Sequence, residues 1–96
     1  MKAQTTIGAD VFVSQAAGMV ASDLDGKKVM MNIESGKYFG LDSVGSRIWE
    51  LIEKPLAFNE LVLELLKEYD IEEKTCQQDV LAFLNKLHDQ GLVDIV

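Results

Sequence analysis

The sequence predicts an α+β fold: a three-stranded antiparallel sheet followed by a three-helix winged helix-turn-helix. Three observations carry this. Asp25-Gly26 and Glu34-Ser35-Gly36 separate short apolar stretches in the first half of the chain, the pattern of two successive hairpins. From Asp42 onward, apolar residues recur at spacings of three and four, the period of amphipathic helices. A short apolar tail, Leu92 to Val96, follows Gly91, which ends the last helical pattern and leaves room for a terminal strand or wing.

The chain opens on small and polar residues, read as a loose arm over residues 1–17, with the folded domain over residues 18–96. Within the arm Val11-Phe12-Val13 is either an extra strand or a segment lying against the core, and we read it as the latter. The first two strands cover residues 19–23 and 28–33. In the second, Val29, Met31 and Ile33 point one way and Met30 and Asn32 the other. The third strand covers residues 37–41, with Lys37, Phe39 and Leu41 on one face and Tyr38 and Gly40 on the other. Consecutive hairpins put the second strand in the middle. The third is then an outer strand, with one row of backbone groups lacking a strand partner.

Three helices follow. The first, over residues 43–53, starts at Asp42 or Ser43, either of which offers a capping oxygen. It carries a stripe of Val44, Ile48, Leu51 and Ile52, with Trp49 as a core anchor, and stops before Lys54-Pro55. The second, over residues 58–69, has Phe58, Leu61, Val62, Leu65, Leu66 and Tyr69 on one side, with Leu56 placed to staple onto Leu61. The third, over residues 73–90, opens on acidic residues that suit the helix dipole. It closes at Gly91 in the left-handed region, with Leu92 folding back towards Leu87. Cys76, Val80, Phe83, Leu84 and Leu87 share a face of this helix, flanked by Leu81 and His88. That apolar arc is wider than the roughly 100° a helix needs to face one core.

A chain of 96 residues with 48% hydrophobic residues is of ordinary single-domain size and composition. One cysteine allows no internal disulfide and fits a reducing compartment. No stretch approaches the roughly 20 apolar residues of a membrane span, and the N-terminus lacks the build of a signal peptide, so a cytoplasmic protein with no membrane partner is expected. The net charge of −7 is unfavourable for binding phosphates. A helix-turn-helix invites a DNA-binding reading, but its second helix begins Glu72-Glu73-Lys74, and the only arginine, Arg47, lies on the first helix.

Catalysis finds no footing. Cys76 and His88 would lie three turns apart on one helix, about 18 Å. They cannot pair within a chain, and a lone histidine and cysteine make no metal cage. No glycine spacing fits a phosphate loop. Neither enzyme activity, cofactor nor metal is expected. The outer strand is the stronger feature. An extended peptide can add to such an edge, gaining main-chain hydrogen bonds while side-chain pockets supply selectivity. The surplus apolar width of the third helix can form the facing wall of a groove. The competing account makes Phe39, Leu81 and Phe83 core residues and lets the C-terminal tail cover the edge.

The residues that carry a family resemblance are Val29 to Ile33, then Gly36-Lys37-Tyr38-Phe39-Gly40-Leu41-Asp42, then Gly45 with Ile48-Trp49-Glu50-Leu51. The stretch from Asp79-Val80-Leu81-Ala82-Phe83-Leu84 through Gly91-Leu92-Val93 completes the set. In order and spacing they resemble the PqqD-like family, the recognition element that binds leader peptides of ribosomally made, modified peptides. The likeness is strongest to the free-standing leader-binding proteins of lasso-peptide pathways. The resemblance implies that a precursor's leader adds to the third strand and docks on the third helix. It implies strand contacts from Lys37, Tyr38, Phe39, Gly40 and Leu41, and helix contacts from some of Asp79, Val80, Phe83, Leu84 and Leu87. It also implies a separate leader peptidase or other maturation enzyme as partner. Two alternatives stand beside this: a winged-helix regulator of DNA or of another regulator, and a partner of a radical enzyme in a different peptide pathway. The edge of the third helix that faces the groove, the final product and the oligomeric state stay open.

Overall fold

A computed structural model describes residues 11–95. In chain order the elements are β1 (Phe12–Gln15), β2 (Met19–Leu24), β3 (Lys27–Asn32), β4 (Tyr38–Gly40), α1 (Ser43–Leu51), β5 (Leu56–Ala57), α2 (Phe58–Glu68), α3 (Glu73–Asp89) and β6 (Val93–Ile95).

The expected meander forms. Asp25 and Gly26 take φ values of 55° and 81°, both positive as a two-residue type I′ hairpin requires. The resulting register pairs Leu24 with Lys27 and Met19 with Asn32. Asn32 organises the second turn: its Oδ1 accepts from the Glu34 and Ser35 amides, and its own N–H donates to the Lys37 carbonyl. Met30, fully buried, lies opposite Phe39 on the face turned to the helices. Val20, Ile33 and Tyr38 stand exposed.

The single sheet with a trailing wing is replaced by two three-stranded sheets, β2-β3-β4 and β5-β1-β6. Residues 11–13 are not merely laid on the core. β1 is the central strand of the second sheet, with Val13 fully buried between Leu56 and Ile95. Leu56, expected to staple onto Leu61, instead sits in this ladder. The strands of this sheet are two to four residues long. That is too short for a period-two pattern to show, and they come from three separated parts of the chain. Residues 1–10 of the expected arm lie outside the described residues.

α1 is capped by Asp42, whose Oδ1 accepts the Gly45 amide at 2.7 Å. Its buried face is Gly45, Ser46, Ile48 and Trp49, continued by Ile52, so Val44 of the expected stripe is turned outward and 42% exposed. β1 closes the other end of the helix: the Gln15 amide donates to the Ile52 carbonyl, and its side-chain Nε2 to the Trp49 carbonyl. The Arg47 guanidinium bridges to Glu68, tying α1 to the end of α2. α3 ends as the sequence indicates. Gly91 has φ of 79°, and the Leu92 amide turns back to the Leu87 carbonyl at 2.8 Å. Leu92 is thereby buried with Ile52, Leu61, Leu65 and Leu84 in one apolar core.

Candidate functional site: a strand edge facing a helix

The hydrogen-bond pattern of β4 fixes which backbone groups are spoken for. Phe39 pairs with Met30 across the ladder. On either side, the Asn32 amide donates to the Lys37 carbonyl at 3.0 Å and the Leu41 amide to the Lys28 carbonyl at 2.8 Å. Residues 37, 39 and 41 therefore turn their groups towards β3. In an antiparallel ladder the alternate residues turn theirs the other way, so the N–H and C=O of Tyr38 and Gly40 face outward. Among the described residues no strand pairs with β4 on that side. The C-terminal strand, which would have covered the edge in the competing account, pairs with β1.

A serine hydroxyl ends this ladder. Ser46, the buried polar residue of α1, accepts the Lys28 amide at 2.7 Å and donates to the Leu41 carbonyl. The Leu41 amide reaches the Lys28 carbonyl directly, and the hydroxyl bridges the return bond from the Lys28 amide to the Leu41 carbonyl, so α1 is pinned to the end of β4.

Between β4 and α3 runs a cleft of about 430 Å³. The strand contributes Tyr38, Phe39 and Gly40; the helix contributes Phe83, Lys86, Leu87 and Gln90. Beyond Phe83 lies a second cavity of about 370 Å³, between α1, the end of α2 and the first half of α3. Phe83 and Asp42 line both. The first cleft has Lys86 in its wall, the second Asp79, so the helix side changes from basic to acidic along its length.

Of the residues expected at the site, Tyr38, Phe39, Gly40, Leu41, Phe83 and Leu87 line the cleft. Asp79 and Val80 line the second cavity. Lys37 lines neither, and its carbonyl is committed to Asn32. Leu84 lines neither and is fully buried, which makes it a core residue. The α3 residues that line the cleft beside β4 are Phe83, Lys86, Leu87 and Gln90. Lys86 and Gln90 were absent from the expected set. Their spacing from Phe83 is legible in the sequence, but polar side chains at a groove margin carry no apolar period to mark them.

Cys76 is buried, and burial pushes its thiol pKa up, helped by the negative charges of Asp79 and Glu73. That setting favours the protonated, unreactive form. Among the described residues no group of three or more histidine, cysteine, aspartate or glutamate side chains is placed to hold a metal ion. Among the described residues no helix is long and apolar enough to cross a membrane.

Fold and cleft together define a small α+β domain in which, among the described residues, an unpaired strand edge lies beside a cleft walled by a helix. The chain belongs to the PqqD family: the family model described as coenzyme PQQ synthesis protein D matches residues 27–93. No curated protein matches it. Among solved structures it is similar to TbiB1 in complex with the TbiA(beta) leader peptide, with 33% identity, TM-score 0.78, and coverage of 84% of this chain and 94% of that one. It shares its fold with a lasso peptide synthetase B1 complexed with the leader peptide, with 18% identity, TM-score 0.76, and coverage of 85% and 96%.

Proposed function

We propose that this protein is a non-catalytic adaptor that binds the leader of a ribosomally made precursor peptide and presents it to a separate maturation enzyme. The observation that carries the proposal is the outward row of Tyr38 and Gly40 main-chain groups, set beside a cleft whose other wall is α3. A leader segment adds to β4 as a further strand, its backbone bonding to those two residues. Its inward side chains enter the cleft against Phe83 and Leu87, within reach of Lys86 and Gln90. The similarity to TbiB1, whose structure holds a leader peptide, supports the same ligand class here. Likeness to a second leader-bound structure supports the fold's suitability for it.

A buried, protonated Cys76 argues for presentation rather than cleavage, and a reducing cytoplasmic setting suits that free thiol. The maturation enzyme is then the leader peptidase or cyclase of a lasso-type pathway. Calorimetric titration with a synthetic copy of the leader encoded beside this protein's gene is the test. Saturable binding is expected, and proline at a leader position that donates to β4 should weaken it. A confirmed complex indifferent to every such proline overturns strand addition.

A further inference from the structure

We propose that Gly45 is a positioning residue: its missing side chain lets Phe83 close on α1 and so sets the width of the cleft in which the leader lies beside β4. This role rests on the leader-binding reading and adds to it what fixes the spacing of the two walls.

Gly45 is buried in the first turn of α1, where nothing in the backbone asks for glycine. Its φ is not among the positive values that Gly18, Gly26, Gly36 and Gly91 adopt. Alanine forms helix more readily than glycine. What excludes alanine is space. A Cβ on Gly45 would lie 3.0 Å from Phe83 Cζ, 3.1 Å from Cε1 and 3.2 Å from Asp42 Oδ1. Carbon atoms in contact sit about 3.5–4.0 Å apart, so the ring would have to retreat by roughly 0.5–1 Å. All three neighbours are side-chain atoms, and Phe83 has a cavity on either side of it. The ring therefore has room to move, and the change falls on the cleft wall rather than on the core.

Gly45 connects the two walls. On the strand side, α1 is fixed to the end of the β3–β4 ladder: Ser46 Oγ accepts the Lys28 amide at 2.7 Å, and Glu50 holds the Lys28 ammonium at 3.4 Å. Asp42, just past the end of β4, caps the Gly45 amide at 2.7 Å. On the helix side, Phe83 meets Gly45 and lines the cleft together with Leu87, one turn further along α3. Strand edge, first turn of α1 and α3 are thus one run of contacts that passes through Gly45. Hydrogen bonds to the Tyr38 and Gly40 groups keep their strength only within a few tenths of an ångström of about 2.9 Å. A wall displaced by roughly 0.5–1 Å makes a bound segment give up part of the strand ladder or its contact with Phe83.

The test is calorimetric titration of a synthetic copy of the leader encoded beside this protein's gene. It is run against the wild type, Gly45→Ala, Phe83→Leu and the double variant, with thermal melts of each. Gly45→Ala should melt at or above the wild-type Tm, because alanine favours the helix and the displaced ring lies at the cleft. It should nevertheless bind the leader about tenfold more weakly, the worth of about one strand-addition hydrogen bond. Leucine lacks the Cζ and Cε1 atoms that Gly45 faces. In the Phe83→Leu background the alanine should therefore cost less than about twofold, a coupling that the double-mutant cycle reads. Damage to the fold moves stability and affinity together; a shifted wall moves affinity alone. Three results each overturn the spacing role and leave leader binding standing: wild-type affinity in Gly45→Ala, a Gly45→Ala that melts several degrees lower or fails to fold, or equal losses with and without Phe83→Leu. A wild type that binds no leader overturns the leader-binding reading itself.

Discussion

Replacing Gly40 with proline separates the groups that hold the protein together from those offered to a ligand. Gly40's N–H points away from β3, so its removal leaves the Phe39–Met30 pairing and the 2.8 Å Leu41–Lys28 bond in place. Nothing lies within 4 Å of a Cβ built on Gly40, which leaves space for the ring. Edge strands tolerate proline, and the residue before it, Phe39, is already extended. The outward groups of Tyr38 and Gly40, a donor and an acceptor on each, can make four hydrogen bonds with an added strand. At about 0.5–1.5 kcal/mol net for each, they are worth about 2–6 kcal/mol of leader affinity. Proline removes one donor, and its ring sits where the partner carbonyl approaches, so a loss of about 1–3 kcal/mol is expected, roughly 5- to 150-fold in Kd. Phe39→Pro is the counterpart: it removes an N–H used inside the sheet and should lower stability by about 1–3 kcal/mol, with Tm falling 4–8 °C for each. Calorimetry with the leader peptide, paired with thermal unfolding by circular dichroism, reads both quantities. If Gly40→Pro stays folded and binds the leader within about twofold of wild type, the outward row is not what the leader pairs with.

Ser46→Ala strips the partner from the Lys28 amide and from the Leu41 carbonyl, and should cost about 1–3 kcal/mol of stability in urea denaturation. Arg47 holds the Glu68 carboxyl below its usual pKa of 4.5, chiefly through its hydrogen bonds. The unfolded chain therefore takes up this proton first on acidification. Stability from the pair is complete above the unfolded value and is lost as pH falls through the folded one. Both side chains are about one-third exposed, so Arg47→Met should cost less than about 1 kcal/mol at pH 7 and flatten the decline of stability below pH 4.5. Cys76 behaves oppositely in sign: its raised pKa keeps the folded thiol protonated, so its contribution is present below the unfolded thiol's pKa and fades as pH rises through the folded value. Iodoacetamide at pH 8 should leave Cys76 unmodified in the folded protein and alkylate it readily in urea; equal rates would refute its burial.

The parts of this protein that a reader of the sequence can place are those fixed by neighbours a few residues away. Asp25-Gly26 forces a two-residue hairpin because both residues accept positive φ, and Gly91 ends α3 for the same kind of reason. The periodicity of Phe58, Leu61, Val62 and Leu65 sets α2 on its buried face. β4 is legible as an outer strand because two short turns in succession leave it no other position. From there the family resemblance supplies a use for the edge. Local rules say nothing about which distant segments meet. The second sheet brings together β1, β5 and β6, each too short to announce itself, and the burial of Val13, Ala57 and Val93 makes the pairing favourable. The rotation of α1 that turns Val44 outward follows from the contact of Ser46 with the end of the β3–β4 ladder, which no helical wheel contains. The orientation of α3, with Phe83, Lys86 and Gln90 on the cleft and Leu84 in the core, follows from what packs on both of its sides. Backbone geometry and apolar period are properties of a segment and can be read along the chain. Which face is buried, and beside what, is a property of the packed whole.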